Sequence, residues 1–326
     1  MPIRSAMIRL FPRLSGALLA VLGATSGRAA LIISESFQTT ASGTGGTYDA
    51  DVNLGASPNP GVVVGNVGFA NSAGKLWVNN TAGAIAHLSG LTHAFTPGTS
   101  ASGAVRVGNL SGAISRRVHR VFAGAPPLST DYYLGGLVNL GASTNLAGVT
   151  QSMGGITTAA GTAVDSFDIS TGIHYGLRRD ALGDIYLTTA AGNTFRDLVK
   201  ITVADTTYQV VLRLQTSTSG NELLSAWYAP AGATSLTLGF ADLDVGNIFS
   251  GTSSLGALLL QTRNQNGSSN SGKTVLFDEI RFGTAPADVT TAFIAVPEPA
   301  TFASLAGGVA AALAFARRRR RSARPR

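Results

Sequence analysis

Two adjacent carboxylates, Asp278 and Glu279, are the residues of this chain that come nearest to a catalytic pair. Glycoside hydrolysis needs two carboxyl groups on opposite sides of one bond. Neighbouring residues of a β-strand point to opposite faces, so this pair is not expected to reach one substrate atom. The other glutamates between the two chain ends are Glu35 and Glu222, and no Glu-x-Asp-x-x-Glu pattern occurs. We therefore predict no catalytic activity, with hydrogen-bonded or solvent-facing roles for these acids near the edge of the fold.

Two acidic stretches have spacings that suit a metal ion. The first has the oxygen spacing with which calcium loops begin, and its residues are Asp49, Asp51 and Asn53. Its glycine falls one place late, and Pro60 occupies the position of the final glutamate ligand. Asp242 and Asp244 form a similar step. We expect polar loops at both places and no cofactor, with Ca²⁺ as the minor alternative.

The remaining reactive side chains form no recognisable site. The four histidines are scattered without zinc-ligand spacing, and they are His87, His93, His119 and His174. We predict that they lie on the surface or are hydrogen-bonded. The chain contains no cysteine and no Gly-x-Ser-x-Gly elbow, which excludes thiol chemistry and gives no support to an α/β-hydrolase serine.

A basic stretch and two tryptophans are the candidate ligand-binding features. In "SRRVHRVF", a strand would place Arg116 and Arg120 on one face and Arg117 and His119 on the other. A solvated edge strand is the simpler interpretation, and binding of an acidic extracellular polysaccharide is the alternative. Trp77 and Trp227 lie within apolar strands, so we predict core packing in preference to a sugar-stacking platform.

The segments that must position these residues alternate apolar and polar residues with a period of two, which is typical of β-strands. "TYQVVLRLQT" places Tyr208, Val210, Leu212 and Leu214 on one face, and a turn then leads to "ELLSAWYAP". "IHYGLRRD" and "DIYLTTA" form a second hairpin pattern. About a dozen such strands, with no sustained helical period between residues 30 and 284, predict an all-β antiparallel sandwich.

The second half of this region resembles concanavalin A-like, laminin G-like jelly rolls. The resemblance lies in a Tyr-x-Val-Val strand, a following Leu-x-x-Trp-x-x-Pro strand, and the closing stretch Phe277–Gly283. It implies one jelly-roll β-sandwich domain over residues 30–284, and a segment resembling a linker follows at 285–295. Another β-sandwich or a β-helix is the alternative. Laminin G-like domains sometimes bind calcium, but the residues that would do so here are not evident.

Both chain ends look like targeting segments. Arginines precede an apolar stretch of about ten residues and then small residues, which predicts a secretory signal peptide at 1–29. At the other end, residues 300–316 carry no charge and would form a helix of about 26 Å, just short of the hydrocarbon core of roughly 30 Å. The basic residues that follow favour the cytoplasmic side.

The tail is similar to the PEP-CTERM sorting signal over residues 296–321, with a short basic tail at 322–326. The resemblance rests on a Pro-Glu-Pro step, a membrane helix and an arginine run in that order. It implies that an exosortase processes the tail, with recognition at Pro297, Glu298 and Pro299 and a stop signal at Arg317, Arg318, Arg319, Arg320 and Arg321. A plain membrane anchor is the alternative.

Charge is concentrated in these ends. The chain carries a net charge of +7, but eleven of its 24 basic residues lie in residues 1–30 and 317–326, so the remainder has a net charge of −4. Such a body lacks the positive surface that nucleic acids require. We expect an exported, non-catalytic envelope or matrix protein, structural or adhesive, that reaches the surface through the Sec machinery. A lectin-like module and, less favoured, a polysaccharide hydrolase are the alternatives.

The predicted orientation can be tested with a reporter fused after Gly283. Alkaline phosphatase, which is active only outside the cytoplasm, should be active in this fusion because residues 1–29 direct export. The same fusion without residues 1–29 is the control and should be inactive. Cytosolic accumulation of the complete fusion would contradict the export assignment.

Overall fold

The fold is given by a computed structural model. The structure describes residues 31–35, 78–79, 85–97, 103–108, 115–121, 129, 131–141, 149–158, 172–192, 194–216, 221–248, 255–264, 274–292 and 294, some strand positions by backbone alone. The two targeting segments, Trp77 and the candidate calcium residues Asp49, Asp51 and Asn53 lie outside these ranges. Within them the chain contains no α-helix, and no helix there has the length and apolar character needed to cross a membrane.

Fifteen β-strands and one short 3-10 helix make up this part of the chain. The strands are β1 (Leu31–Glu35), β2 (Val78–Asn79), β3 (Ile85–Ser89), β4 (Gly103–Gly108), β5 (Ser115–Val121), β6 (Asp131–Asn139), β7 (Val149–Thr158), β8 (Gly172–Arg179), β9 (Ile185–Ala191), β10 (Thr194–Lys200), β11 (Thr207–Gln215), β12 (Glu222–Pro230), β13 (Thr237–Gly246), β14 (Leu255–Asn264) and β15 (Thr274–Gly283). The 3-10 helix spans Pro286–Asp288.

The strands form two antiparallel sheets, which confirms the predicted all-β antiparallel class. The eight-stranded sheet has the order β13-β12-β11-β6-β15-β4-β3, and β1 pairs with β15. The seven-stranded sheet has the order β10-β9-β8-β7-β14-β5-β2. The two predicted hairpins are present as β11–β12 and β8–β9. The last two strands, β14 and β15, are each paired on both edges, in different sheets.

The main core lies between the sheets and follows the predicted period of two. Every second residue of β11 belongs to it, namely Tyr208, Val210, Leu212 and Leu214. Tyr175 of β8 and Phe277 of β15 meet edge to face across the core, with ring centroids 6.2 Å apart. These apolar faces explain why the two sheets stack, since burial of apolar area is the dominant favourable term in folding.

The face of the eight-stranded sheet that points away from the core is also covered. The segments 91–97 and 286–291 lie across it, and the Gln209 side-chain amide donates to the carbonyl oxygens of Val289 and Phe95. Thr291 N donates to the Phe95 carbonyl at 2.8 Å, which joins the two segments. Residues 286–291 fall within the stretch that the sequence suggests as a linker, and Val289 there is buried.

One bulge interrupts the otherwise regular last strand. Between Asp278 and Arg281 the pairing of β15 with β6 shifts register, and Glu279 has a φ of 48°. A bulge places an extra residue on one strand and breaks the strict alternation of side chains. The expected position of these acids near the sandwich edge is therefore wrong, because β15 is paired on both sides, and the regular strand assumed for them is interrupted by the bulge.

The packing of Gly136 generates a stability prediction. A Cβ atom at this position would overlap the Tyr175 hydroxyl and lie 2.9 Å from its Cζ atom. Gly136→Ala should lower the free energy of unfolding by about 1–3 kcal/mol, since overpacking forces shifts in a dense core. Tyr175→Phe alone should cost little, because the hydroxyl has no hydrogen-bond partner among the described residues.

The double variant Gly136→Ala with Tyr175→Phe should recover part of the loss, which urea unfolding of all four chains would measure. Strict additivity of the two changes would contradict this account of the contact.

Candidate functional site

The carboxylates of the bulge are engaged in holding the chain together. The buried Asp278 carboxylate accepts hydrogen bonds from Leu91 N and Glu279 N, each at 2.7 Å. Glu279, also buried, pairs with Arg281 at 3.1 Å. Of the two roles predicted for Asp278 and Glu279, the hydrogen-bonded one is confirmed for both residues. The solvent-facing one is wrong because both are buried. The two carboxylates thus anchor a crossing segment and a neighbouring guanidinium.

The other described carboxylate side chains have similar roles. Glu222 accepts from Ile248 N at 2.8 Å. Three aspartates form ion pairs, and they are Asp131 with Arg213, Asp184 with Lys200 and Asp197 with Arg178. Four more accept hydrogen bonds within turns, between strands or at the 3-10 helix, and they are Asp180, Asp205, Asp244 and Asp288. The side chain of Glu35 lies outside the described residues.

Asp242 and Asp244, the second candidate metal site, lie within the edge strand β13, so the expectation of a polar loop is wrong there. Asp242 contacts the Ser225 hydroxyl, and Asp244 accepts from the Asn221 side chain at 2.7 Å and from Gly246 N at 2.9 Å. These hydrogen bonds lower the pKa of Asp244. Within the described part of the chain, no three acidic or histidine side chains come together in a way that suits a metal ion.

A second group of polar side chains lies on the outer face of the seven-stranded sheet, defined as the face away from the eight-stranded sheet. Ile173, Tyr175 and Leu177 of β8 point into the core, so His174 and Arg178 belong to the outer face. Gln151 is paired with Arg178, and Gln261 is paired with Met153 on the same face. Sequence reasoning did not bring these residues together, because they come from separate strands.

His174 is the most unusual member of the outer face. Its side chain is fully buried, and neither ring nitrogen has a hydrogen-bond partner among the described residues. Burial lowers the pKa of His174 to about 3, so the imidazole is neutral at pH 7. A neutral imidazole offers one N–H donor and one acceptor nitrogen. The expectation that the histidines are surface-exposed or hydrogen-bonded is therefore wrong for His174.

Glycines form the backbone floor beside this histidine. Gly155 is directly opposite His174, and a Cβ atom at Gly155 would lie 2.7 Å from the His174 Cα atom. Gly176 comes equally close to β7, since its Cβ would lie 2.9 Å from the Met153 Cα atom. The strands β7 and β8 approach each other too closely for side chains at these two positions. The side chains beside His174 on this face are themselves fully buried, and they include Met153, Ala190 and Leu259.

Arg178 is held in place at one end of this face. Its guanidinium forms two hydrogen bonds with the Asp197 carboxylate, at 3.2 and 2.6 Å, and lies 5.9 Å from the centre of the Phe195 ring. The hydrogen bond from Asp197 is the main cause that raises the pKa of Arg178. Two parallel bonds fix the plane of a guanidinium better than one.

The pairing of β5 decides which half of the basic stretch lies on this face. Arg117 is opposite Gln261 and His119 is opposite Leu259, both of which are outer-face positions. Arg116 and Arg120 are opposite Thr262 and Leu258, which belong to the inner face. The predicted division of the stretch into two faces is thus confirmed by the register, whereas the predicted edge strand is wrong, because β5 pairs with β14 on one side and with β2 on the other. The side chains of β5 lie outside the described residues.

Trp227 is buried, as predicted, but not in the main core. Its partner Val211 lies on the face of the eight-stranded sheet that points away from that core. The alternation of apolar residues does not reveal that a second layer covers this face.

His93 also lies near this layer. It contacts the Pro230 carbonyl, and partial burial lowers its pKa.

Comparison with known proteins identifies the chain's sorting signal. Residues 295–321 match the family model described as the PEP-CTERM protein-sorting motif. The motif indicates an exported, cell-envelope-associated protein that is sorted through an exosortase, as the sequence analysis predicted. No curated protein matches the chain.

Solved structures with a distant similarity include several enzymes that act on polysaccharides. The marine PL-14 alginate lyase from Aplysia kurodai is 12% identical with a TM-score of 0.42, over 63% of this chain and 100% of that one. The alginate lyase Aly36B is 14% identical with a TM-score of 0.34, over 61% and 84%. A glycoside hydrolase family 131 catalytic domain from Coprinopsis cinerea is 12% identical with a TM-score of 0.38, over 59% and 73%.

The buried imidazole of His174 predicts a pH dependence of stability. Its folded pKa of about 3 lies below the ordinary value of 6.5, so the unfolded chain binds a proton that the folded chain does not. The contribution of the neutral imidazole to the free energy of unfolding is fully present above about pH 6.5. It should decrease as the pH falls toward 3, by up to about 1.4 kcal/mol per pH unit. Urea unfolding between pH 7 and pH 4.5 would measure this slope.

His174→Gln should flatten the slope, whereas His93→Gln should change it less because backbone carbonyls oppose the effect of burial on His93. An unchanged slope in His174→Gln would contradict a neutral, buried imidazole.

Proposed function

We propose that this protein is a non-catalytic, structural or adhesive component of the bacterial envelope or extracellular matrix. In this proposal the body is a jelly-roll sandwich, and the sorting tail delivers it to the surface. The observation that carries the non-catalytic assignment is the engagement of the described carboxylates. Asp278, Glu279 and Glu222 are buried, and they contact backbone N–H groups or a neighbouring arginine.

This arrangement supports a structural role for physical reasons. A glycosidase acid and its partner must both reach the scissile bond, at a separation between about 5 and 9.5 Å across a cleft. A carboxylate that accepts short hydrogen bonds from backbone N–H groups is stabilised in its charged form, so it is a poor proton donor. If the carboxylate left those donors to act on a substrate, the buried N–H groups would be unpaired. Each unpaired group would cost about 1–3 kcal/mol of folding free energy.

The path to the surface is the second part of the proposal. The signal peptide at 1–29 would pass the chain to the Sec machinery. The helix at 300–316 would then hold it in the inner membrane until the exosortase removes the tail. Seventeen uncharged residues rich in alanine and glycine suit a transient anchor better than a permanent one.

Glycan binding is the second candidate function. It is favoured by the polar row on the outer face of the seven-stranded sheet, where the partly exposed Arg178 shares one face with the buried Gln151, His174 and Gln261. Amides, a neutral imidazole and guanidinium groups are the side chains that meet the donors and acceptors of sugars.

The absence of catalysis can be tested directly. The purified chain, incubated with a panel of neutral and acidic polysaccharides, should release no reducing or unsaturated ends, because its described acids are committed to structural contacts. Glu279→Gln serves as the control, and its background should equal that of the unmodified chain. Turnover that disappears in Glu279→Gln would overturn the proposal.

Tail processing can be tested separately by intact-mass measurement of the protein from its native envelope. The proposal expects a species that has lost residues 1–29 and the arginine run. A mature species that retains Ser322–Arg326 would mean that the tail is an anchor that is not removed.

A further inference from the structure

We propose that the end of the sandwich at which the chain leaves the fold lies against a lipid bilayer and inserts aliphatic side chains into its interfacial region. We call this surface the exit end and define it by three turns, at residues 180–184, 201–206 and 230–236. The partner is a lipid surface that is contacted through apolar groups and not through charge. The inference rests on the proposed membrane helix at 300–316, but not on whether the protein is catalytic or binds glycans.

The three turns of the exit end lie side by side. Ile201 N donates to the Ile185 carbonyl at 2.8 Å, which places the second turn next to the first. The second turn leads into β11, and Ala231 N donates to the Thr207 carbonyl at 2.7 Å, which brings the third turn beside it. The first turn joins strands of the seven-stranded sheet and the third joins strands of the eight-stranded sheet, so both sheets contribute to the exit end.

The large apolar side chains that are most exposed among the described residues all lie at this end. They are Leu182 at 89%, Val203 at 62% and Leu238 at 50% exposure. Leu182 and Val203 belong to the first two turns, and Leu238 is the second residue of β13, which follows the third. A single exposed leucine is ordinary in a soluble protein, but several at one end of a fold indicate an interaction surface.

The first turn is rigid and leaves the Leu182 side chain free. The Asp180 carboxylate accepts hydrogen bonds from Leu182 N at 2.9 Å and from Asp184 N at 2.8 Å. Gly183 has a φ of 96°, in the left-handed region that favours glycine. These contacts fix the backbone without using the leucine side chain. Leu182 can therefore enter an apolar phase with little further ordering of the turn.

The chain leaves the fold at the same end. Thr291 N donates to the Phe95 carbonyl at 2.8 Å, which ties the last part of the covering layer to the crossing segment. Two residues before Phe95, the His93 ring contacts the Pro230 carbonyl at 3.2 Å, at the start of the third turn. The end of the covering segment is therefore held beside the exit end.

The tether to the proposed helix is short. Residue 300 follows Ala292 by eight residues, which span at most about 29 Å in any conformation. The exit end therefore stays near the bilayer for as long as the helix is inserted. Residues 31–316 carry 13 basic and 17 acidic side chains, so anionic lipids do not attract them. Insertion of Leu182 and Val203 is the contact that such a surface allows.

The test is quenching of a fluorophore by brominated lipids, with residues 30–326 reconstituted into phosphatidylcholine vesicles. The chain contains no cysteine, so one introduced cysteine carries the label. Labels at Leu182→Cys and Val203→Cys should lose about half of their fluorescence, because interfacial side chains reach the acyl boundary. A label at Thr194→Cys, an exposed position at the other end of β10, should lose about a tenth or less.

Matched charge changes locate the contact. Leu182→Asp should reduce quenching of the Val203→Cys label by about threefold, because a carboxylate resists leaving water. Thr194→Asp introduces the same charge at the other end of the sandwich and should leave this quenching unchanged. Both positions are exposed, so the melting temperatures of the two variants should match that of the parent chain.

A label at Ala306→Cys, inside the proposed helix, separates this inference from the anchor on which it rests. Quenching there without quenching at Leu182→Cys and Val203→Cys would overturn the inference and leave the anchor in place. No quenching at Ala306→Cys would overturn both. Equal quenching at Leu182→Cys and Thr194→Cys would contradict an oriented body. Energy transfer between labelled copies in place of lipid quenching would assign the exit end to a second copy of the chain.

Discussion

The fold depends on the placement of its last two strands in the middle of its two sheets. β14 joins β7 to β5, and β15 joins β6 to β4 while also pairing with β1. The seven-stranded sheet therefore remains in two parts until β14 ends at Asn264, and the eight-stranded sheet remains so until β15 ends at Gly283. Long-range pairing of this kind is costly in loop entropy and forms late. In an exported chain, the sandwich can close only after nearly the whole body has crossed the membrane, shortly before the sorting tail emerges.

The same central position explains how the acids of β15 are used. Asp278 on β15 fixes Leu91, which begins the segment that crosses the eight-stranded sheet. The companion segment at 286–291 is tied to it through Phe95 and capped by Asp288. The Asp278 carboxylate at the centre of a sheet thus holds the covering layer in place.

Sequence patterns predicted the strands whose two faces differ. β11 and β12 alternate clearly, and their hairpin register follows from that alternation. The patterns did not predict β7, whose glycines lower its strand propensity, or the edge strands β10 and β13, whose residues are largely polar or exposed. The bulge at Glu279 was also missed, because one extra residue leaves no periodic signal.

The candidate site was predictable only in part. The two faces of the basic stretch followed from parity, and the tail followed from its three-part motif. The outer face of the seven-stranded sheet did not, because Gln151, His174 and Gln261 come from three strands that only the topology brings together. A period of two shows which residues share a face, but not which faces are buried. For that reason His174 was expected on the surface or in a hydrogen bond.

The most direct test of the central claim is to compare two chains that differ by their last strand. One contains residues 30–292 and the other ends at residue 273, before β15. The account predicts a single cooperative urea transition and protease resistance for the longer chain. The shorter chain should be protease-sensitive and show no such transition, because β1, β4 and β6 lose their common partner. A cooperative transition of equal midpoint in the shorter chain would contradict the claim that β15 holds the sandwich together.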